Sequence, residues 1–412
     1  MTFFDIQIIS VIKTKFYLVI LILTVLTVGC KDDTTTEGES EDYDATLQEF
    51  IDTYADIVLQ SYTDSRDDAE DILVAVTALV DNPSEETHLA AKQAWLNAQE
   101  TYGQTEVYRF YGGPIDDDDG PEGALNAWPL DESLIDYVNG AVNGDNVDDN
   151  VGTNIINSPD VVPNITKDVI ASYNEEGGET NISTGYHAVE FLLWGQDEDL
   201  GPGGGNRSYT DYLTNGTGTN DNQDRRGDYL KAAAGLIVDD LNGLIDEWKV
   251  DGTYRSTFTA ADQLKTSLQD ILIGMGKLSV GELAGERLEV SLALQSIEDE
   301  HSCFSDNTDR DVVTNAQGIE NVYLGSYGSI SGTGLYALVD IVDTDLAEKL
   351  RAEIRKSVSL SELIEAPFEE EIFSTDGGQD RIKAVIDALE AQGDTMVDVA
   401  AALGLETLDT SV

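Results

Sequence analysis

Residues 43–64 read YDATLQEFIDTYADIVLQSYTD, and their apolar side chains recur at the spacing of one face of an α-helix. Those side chains are Leu47, Phe50, Ile51, Tyr54, Ile57 and Val58. Residues 68–82, DAEDILVAVTALVDN, repeat the pattern, whereas alternating strand-like patterns are scarce along the chain. A helical period sustained over two consecutive segments predicts amphipathic helices that begin near Tyr43 and bury one face each.

The segment NPSE predicts the start of the next helix. Asn82 is placed as the N-cap, Pro83 at the first helical position and Glu85 three positions in, where its side chain can reach back to the cap. We expect this helix to end at about Arg109.

The buried stripe of that helix is expected to contain charged residues. Trp95, Ala98, Tyr102, Glu106 and Arg109 follow one another at steps of 3, 4, 4 and 3, so they share one face. A buried carboxylate must be paired, hydrogen-bonded or bound to a metal. Glu106 is therefore a candidate ligand.

The rest of the chain also favours helices, which predicts an all-α protein of two helical-bundle domains packed together. The segment GIENVYLG, residues 318–325, could form an extended strand instead of a helix. The domains are predicted as 43–200 and 226–412, separated by a glycine-rich loop insertion at 201–225. The further helices are predicted at 131–138, 164–174, 184–194, 226–249, 259–278, 280–302, 333–356, 379–392 (ended by Gly393) and 395–403 (ended by Gly404).

The N-terminus has the pattern of a secretory signal. Lys13 and Lys15 precede the apolar run FYLVILILTVLTV, which ends at Gly29 and Cys30. We expect 1–29 to be a signal peptide, LTVGC to be a lipidation site at Cys30, and 30–42 to be a disordered, lipid-anchored tether. This predicts a bacterial outer-membrane lipoprotein, periplasmic or surface-exposed. The alternative is an ordinary cleaved signal followed by an incidental cysteine.

The charge of the chain limits the kinds of molecule that it can bind. Lys and Arg number 23 against 80 Asp and Glu, which gives a formal net charge of −57. Such a field repels nucleic acid and anionic lipid surfaces and attracts cations. We therefore expect no nucleic-acid partner and membrane contact only through the lipid anchor, and we interpret most of this charge as a solvated acidic surface.

His187 and Glu190 form the most suggestive polar pair. They lie at i and i+3 in STGYHAVEFLLWGQD, residues 183–197, so they share one face of an apolar helix. Imidazole and carboxylate are both competent ligands for zinc or iron. The alternative is a hydrogen-bonded core pair. His88 and His301 are distant in sequence, so we expect a carboxylate-rich site rather than one with several histidines.

The other acidic motifs are weaker candidates for a binding or catalytic site. Asp131, in WPLDESLID, is expected to cap its helix. The DDDD run at 116–119 lacks the spacing of a calcium-binding loop. The acidic segment 298–311, EDEHSCFSDNTDRD, is interpreted as structural. No nucleophile elbow, P-loop or dinucleotide-binding motif is present in the sequence.

Several of these motifs together resemble the imelysin-like family, whose signature is G-x-H-x-x-E. The segment GYHAVE, Gly185 to Glu190, fits the signature. The resemblance covers about 43–410. The other matching blocks are Trp95 to Asp116 (ending TEVYRFYGGPID), WPLDESLID (128–136), RRGDYL (225–230), GELAGERL (281–288) and EDEHSCFSDNT (298–308).

The resemblance implies two helical domains with the signature helix near their junction, a cell-envelope location and a role in iron uptake with partner proteins. Carried over by position, His187 and Glu190 match the signature, and Glu106 matches the acidic position before YRF. We take these three as the predicted ligands of iron or zinc. Asp131, Arg109 and Tyr102 are predicted to surround them.

Three functions stay open at this point. The first is a metal-binding envelope lipoprotein that helps to acquire iron. The second is a zinc-dependent metalloendopeptidase, because founding members of the resembled family were described as insulin-cleaving proteases. The third is a surface binding protein in which His187 and Glu190 are a structural pair. Whether the chain is an enzyme is left undecided, and if it is one, a metallopeptidase is expected.

Overall fold

The computed structural model describes residues 37–138, 153–198, 201–297 and 299–412. The predicted signal peptide, Cys30 and most of the predicted tether lie outside these residues. The all-α class is confirmed. Within the described part of the chain, strands are limited to a two-residue antiparallel pair, Ser326–Tyr327 with Ile330–Ser331. None of the helices in this part is long and apolar enough to cross a membrane.

The first two apolar segments form one helix, α1 (Glu37–Asp81), of 45 residues. It therefore begins inside the predicted tether of 30–42. The second helix, α2 (Glu85–Tyr102), is capped by Ser84 rather than by the predicted Asn82. The Ser84 hydroxyl accepts a hydrogen bond from the Thr87 amide, and the Thr87 side chain accepts one from the Ser84 amide.

The remaining elements follow in chain order. After α2 the chain continues as a 3-10 turn, Gly103–Tyr108. The later helices are α3 (Glu122–Leu125), α4 (Glu132–Ile135), α5 (Lys167–Ala171), α6 (Gly185–Trp194), a 3-10 turn at Tyr209–Tyr212, α7 (Gln223–Trp248), α8 (Thr253–Phe258), α9 (Leu264–Lys277), a π-helical segment at Leu278–Glu289, α10 (Val290–Leu294), α11 (Thr308–Leu324), α12 (Leu335–Val342), α13 (Thr344–Ser361), α14 (Phe368–Phe373) and α15 (Gly378–Ala402).

Some predicted boundaries were wrong. The helix predicted at 280–302 ends at Leu294, because Gln295 adopts a left-handed φ of 50°. Residues 318–324 of the segment GIENVYLG lie inside α11, and Gly325 is its C-cap, so the segment is not extended. Helix α15 continues through Gly393, where an added Cβ would lie 2.2 Å from Val280 Cγ2. Gly393 therefore serves close helix packing rather than helix termination.

The core crosses the predicted domain boundary. One hydrophobic cluster runs from Leu47 in α1 to Leu408 near the C-terminus. Helix α7, which follows the boundary, packs against α1 and α6, which precede it. A smaller cluster includes Leu283, Phe368 and Leu389 and lies between the π-helical segment, α14 and α15. The division into 43–200 and 226–412 stays a sequence-based prediction.

The glycine-rich segment 201–225 is tied into the core by buried charges. Arg207 Nη1 and Arg226 Nε donate to Asp136 Oδ2 at 2.7 and 2.6 Å, and Arg226 Nη2 donates to Asp136 Oδ1 at 3.0 Å. Asp211, in the same segment, is buried and lies within 3.4 Å of Arg207. Removing either partner of these buried ion pairs would leave an unpaired charge in the interior. The segment is therefore part of the fold and not a detached insertion.

Gly185 places α6 against the rest of the protein. Its φ is +85°, and an added Cβ would lie 2.4 Å from the Leu125 carbonyl oxygen. Both the left-handed backbone and the close approach require glycine. The first position of G-x-H-x-x-E is thus explained by backbone packing.

We expect Gly185→Ala to lower the free energy of unfolding by roughly 2 kcal/mol or more, because alanine must adopt a strained φ and displace the Leu125 carbonyl. Urea unfolding measures the effect. Gly243→Ala in α7 is the matched control, since its site is exposed and open. That control should be neutral or slightly stabilising. Equal losses in the two variants would contradict this account.

Candidate metal centre

Helix α6 carries the signature pair into the interior. All ten of its residues are buried, with His187 1% and Glu190 0% exposed. His187 Nδ1 lies 2.8 Å from Glu190 Oε2. Because a carboxylate only accepts hydrogen bonds, this contact places the imidazole proton on Nδ1 and leaves the lone pair on Nε2.

Glu190 also binds the segment that precedes α11. Its Oε1 accepts hydrogen bonds from the Ser305 amide at 2.9 Å and from the Ser305 hydroxyl at 2.6 Å. Burial raises the pKa of Glu190, although His187 and Ser305 oppose the shift. Both oxygens of Glu190 thus have partners, and the geometry suits a carboxylate that orients His187 better than one that holds a metal itself.

A second histidine completes the pair. The ring centroids of His187 and His301 lie 4.7 Å apart at an interplanar angle of 87°. His301 Nδ1 lies 2.7 Å from Asp311 Oδ2, and Asp311 also accepts a hydrogen bond from the Asn307 amide group at 3.1 Å. The structure therefore brings together two imidazoles, each held at Nδ1 by a carboxylate.

The sequence did not predict that His301 lies beside His187, because distance along the chain does not fix distance in space. The segment 298–311, interpreted as structural, supplies His301, Ser305 and Asp311. The available signal was the block 298–308, which contributes to the family resemblance and contains a histidine among acidic residues.

The Nε2 atoms are the positions open to a ligand. His187 Nε2 is buried and has no hydrogen-bond partner among the described residues. His301 Nε2 lies 3.4 Å from the Asn126 side-chain nitrogen, a long contact. Burial, and then the charges of Arg287 and His187, lower the pKa of His301 well below its usual value. Neutral imidazole nitrogens are competent donors for iron and zinc, so these residues fit such an ion.

Glu106 lies beside this pair but is already bound. Its Oε2 accepts hydrogen bonds from Arg109 Nη1 and Arg287 Nη2, both at 2.6 Å, and its Oε1 lies 3.3 Å from the Asn126 side-chain nitrogen. Burial alone would raise the pKa of Glu106, but Arg109 and Arg287 outweigh burial and lower it to about 2. Glu106, predicted as a metal ligand, is here the counter-ion of two arginines, joined to His301 through Asn126.

The other predicted site residues have structural contacts. Arg109 also pairs with Glu122 at 2.8 Å. Tyr102 packs against Tyr186 of α6, with ring centroids 4.6 Å apart. Asp131 caps α4, accepting from the Ser133 amide at 2.9 Å, as expected. His88 lies 2.7 Å from the Leu193 carbonyl oxygen through Nε2 and so holds the end of α6.

A cavity reaches one of the two histidines, His301. It has a volume of about 380 Å³, and its lining includes His301, Asn126 and Trp128. The acidic lining residues are Glu122, Glu175, Glu179, Glu282 and Glu286. Arg109 and Arg287 line the cavity as well, so five carboxylates face two guanidinium groups there. This excess of negative charge attracts cations towards His301.

Comparisons with known proteins agree with this fold. A family model described as Imelysin (Peptidase_M75) matches residues 58–396. The chain is similar to "Iron-regulated protein A" of Synechococcus elongatus, with 24% identity over 364 residues that cover 84% of this chain and 85% of the relative.

Two solved structures share the fold. One is an iron-regulated protein A precursor from Parabacteroides distasonis, with a TM-score of 0.68 and 17% identity, covering 87% of this chain and 95% of the other. The second is an imelysin-like protein from Psychrobacter arcticum, with a TM-score of 0.61 and 12% identity, covering 88% and 97%. Since the family model spans most of the sequence, the chain belongs to the imelysin family.

Proposed function

We propose that this protein binds iron at the pair of His187 and His301 and serves iron acquisition at the bacterial cell envelope. The observation that carries the proposal is the buried, unpartnered Nε2 atom of His187 beside a second, neutral imidazole. Iron is the cargo in this proposal and not a resident cofactor.

The arrangement resembles metal sites in which a carboxylate fixes the ligating histidine. Nε2 of His187 and Nε2 of His301 would hold the ion, while Glu190 and Asp311 fix the proton position and orientation of the two rings. Two protein nitrogens leave coordination positions for water or for ligands that arrive with the ion. Such an open site suits an ion that is taken up and passed on better than a closed, four-ligand structural site would.

The names of similar proteins favour iron over zinc as the bound ion. A curated relative and a structural neighbour are both named for iron regulation. The nitrogen donors are compatible with either ion.

The envelope location rests on the sequence. Residues 1–29 have the pattern of a signal peptide, and Cys30 stands where a lipidated cysteine is expected. We propose that the mature protein is an outer-membrane lipoprotein that meets iron-uptake partner proteins there.

A zinc-dependent metalloendopeptidase is the second candidate, since the matching family model carries a peptidase name. A hydrolytic zinc site needs about three protein ligands, an open position and a general base. Here His187 and His301 provide two nitrogens, while Glu190 and Asp311 already hold the imidazoles and His88 lies against the Leu193 carbonyl. This donor set favours binding over hydrolysis.

The test is metal binding by the mature chain from Lys31, produced without the lipid. We expect the protein to bind Fe²⁺ under anaerobic conditions, measured by calorimetry and elemental analysis, and to leave casein and insulin intact. Metal-dependent cleavage would favour the peptidase. A protein that binds neither Fe²⁺ nor Zn²⁺ would make the pair of His187 and Glu190 structural, and the protein a surface binding protein.

Variants separate ligands from supporting residues. Glu190→Gln should weaken metal binding by about 10–100-fold, because it loosens the hold on the His187 ring. His187→Ala should weaken binding further, because it removes a donor atom. His88→Gln is the matched control and should bind as the parent does. Unchanged affinity in His187→Ala would overturn the proposed site.

Glu106→Gln distinguishes an ion-pair role from a ligand role. The folded-state pKa of about 2 lies below the ordinary glutamate pKa of 4.5, so Glu106 stabilises the fold fully above pH 4.5. That contribution, roughly 3 kcal/mol, is lost as the pH falls towards 2. We expect Glu106→Gln to reduce the free energy of unfolding at pH 7 by a similar amount while retaining metal binding. Loss of metal without loss of stability would make Glu106 a ligand.

The proposed lipid anchor at Cys30 can be tested separately. We expect Cys30→Ser to abolish incorporation of labelled palmitate and to release the protein from the membrane fraction of the producing cell, because lipidation requires the cysteine thiol. Unchanged membrane association in this variant would leave an ordinary signal sequence or another attachment.

A further inference from the structure

A second cluster of acidic side chains lies apart from the histidine pair. Asp197, Asp306 and Glu369 each offer a carboxylate oxygen, and these atoms lie within 4.8 Å of one another. The residues come from three separate parts of the chain, after α6, before α11 and at the start of α14. Asp306 and Glu369 are buried.

Two buried carboxylate oxygens of this cluster lack a hydrogen-bond donor. Oδ1 of Asp306 and Oε1 of Glu369 have no hydrogen-bond partner among the described residues. No arginine or lysine in that part of the chain makes an ion pair with either residue. Burial, and then the charge of Asp306, raise the pKa of Glu369 to about 8. Carboxylates packed this way repel one another unless a proton or a cation lies between them.

Glu300 is an independent sign of a missing ligand. It is 1% exposed, and neither of its oxygens makes a hydrogen bond of ordinary geometry with any described residue. The carboxylates of Glu369 and Asp306 are among its charged neighbours. Glu300 is therefore a further buried carboxylate without a hydrogen-bond donor of ordinary geometry among the described residues, beside Glu369 and Asp306.

The backbone around Asp306 is shaped to hold its carboxylate in place. Asp306 has a left-handed φ of 58°, and its Oδ2 accepts hydrogen bonds from the amides of Gly203 and Gly204 at 2.6 and 2.7 Å. At Gly204, where φ is +65°, an added Cβ would lie 2.2 Å from the Phe304 carbonyl oxygen. These contacts use only Oδ2 and leave Oδ1 of Asp306 without a hydrogen-bond partner among the described residues.

We propose that Asp197, Glu300, Asp306 and Glu369 form a binding site for a hard divalent cation of the calcium class. All four donors are carboxylates, which favours Ca²⁺ over iron or zinc. Two ligands of one Ca²⁺ ion lie at most about 5 Å apart, twice the metal–oxygen distance. The oxygens of Asp197, Asp306 and Glu369 lie within 4.8 Å of one another, so these three are compatible with a shared ion. Mg²⁺ is less suitable, because it keeps several waters and usually takes one or two carboxylates.

The cation would join the three chain segments and order the loop before α11. Ser305, next to Asp306, donates to Glu190, and His301 follows Glu300 directly. The site is separate from the histidine pair but shares its supporting segment. The inference does not require that the histidine pair binds iron.

The test uses the mature, non-lipidated chain from Lys31, freed of metal with a chelator and kept at about 0.15 M salt to screen loose binding to the acidic surface. We expect calorimetry to find one Ca²⁺ site. Thermal unfolding should shift upward by several degrees when Ca²⁺ is present at about 100 times its Kd. An equal concentration of Mg²⁺ should give a smaller shift.

Conservative variants make the test specific. Asp306→Asn and Glu369→Gln should each lower Ca²⁺ affinity by at least about tenfold and abolish most of the thermal shift. Glu370→Gln, at the exposed neighbouring position in α14, is the matched control and should behave as the parent. Without Ca²⁺, Glu369→Gln should be as stable as the parent or more so, because it removes a repelling charge. This readout separates a cation site from a general requirement for folding.

Two results would overturn the inference. One is a parent protein whose unfolding temperature does not respond to Ca²⁺, which would assign protonated, mutually hydrogen-bonded carboxyl groups to the cluster. The other is an equal Ca²⁺ shift in the parent and in Glu369→Gln. His187→Ala should keep the full Ca²⁺ shift, so failure of this site and failure of the iron site can be distinguished.

Discussion

An ionisable group that is removed from water must find its partners within the protein, and α6 imposes this condition on the whole site. All ten residues of the helix are buried, so the side chains of His187 and Glu190 are almost entirely removed from bulk solvent. Glu190 meets the condition with His187 and with two hydrogen bonds from Ser305. Through Ser305, the loop before α11 is fixed to α6, and this attachment brings His301 against His187.

The arginines beside the pair control its charge. Arg287 binds Glu106, and its positive charge helps to lower the pKa of His301. An imidazole kept neutral retains the lone pair that a metal ion needs. Glu106 in turn pairs with Arg109 and Arg287, and Glu282 pairs with both arginines as well. The ion pairs and the proposed binding site are thus one electrostatic unit.

The sequence was most informative where structure depends on local interactions. Periodicity placed α6 at 184–194 against the observed Gly185–Trp194, and α7 at 226–249 against Gln223–Trp248. The burial of Glu106 followed from its place in the apolar stripe, but its partner Arg287 lies 181 residues further along the chain, beyond any local pattern. A glycine often follows the last residue of a helix, so Gly393 was predicted to end one. It instead packs tightly against Val280 inside α15. His301 was missed because its relation to His187 exists only after folding.

The π-helical segment from Leu278 to Glu289 changes the direction in which its side chains point around the helix axis. Wider winding brings residues five apart onto one face, and Arg287 Nε accordingly meets Glu282 Oε1 at 3.1 Å. In ordinary α-helical winding each residue turns the helix by about 100°, so positions five apart point in clearly different directions. The extra winding therefore acts as a rotational offset that directs Arg287 towards Glu106 and Glu282 together. Shortening this segment by one residue would turn the guanidinium away from the histidine pair while leaving the composition of the site almost unchanged.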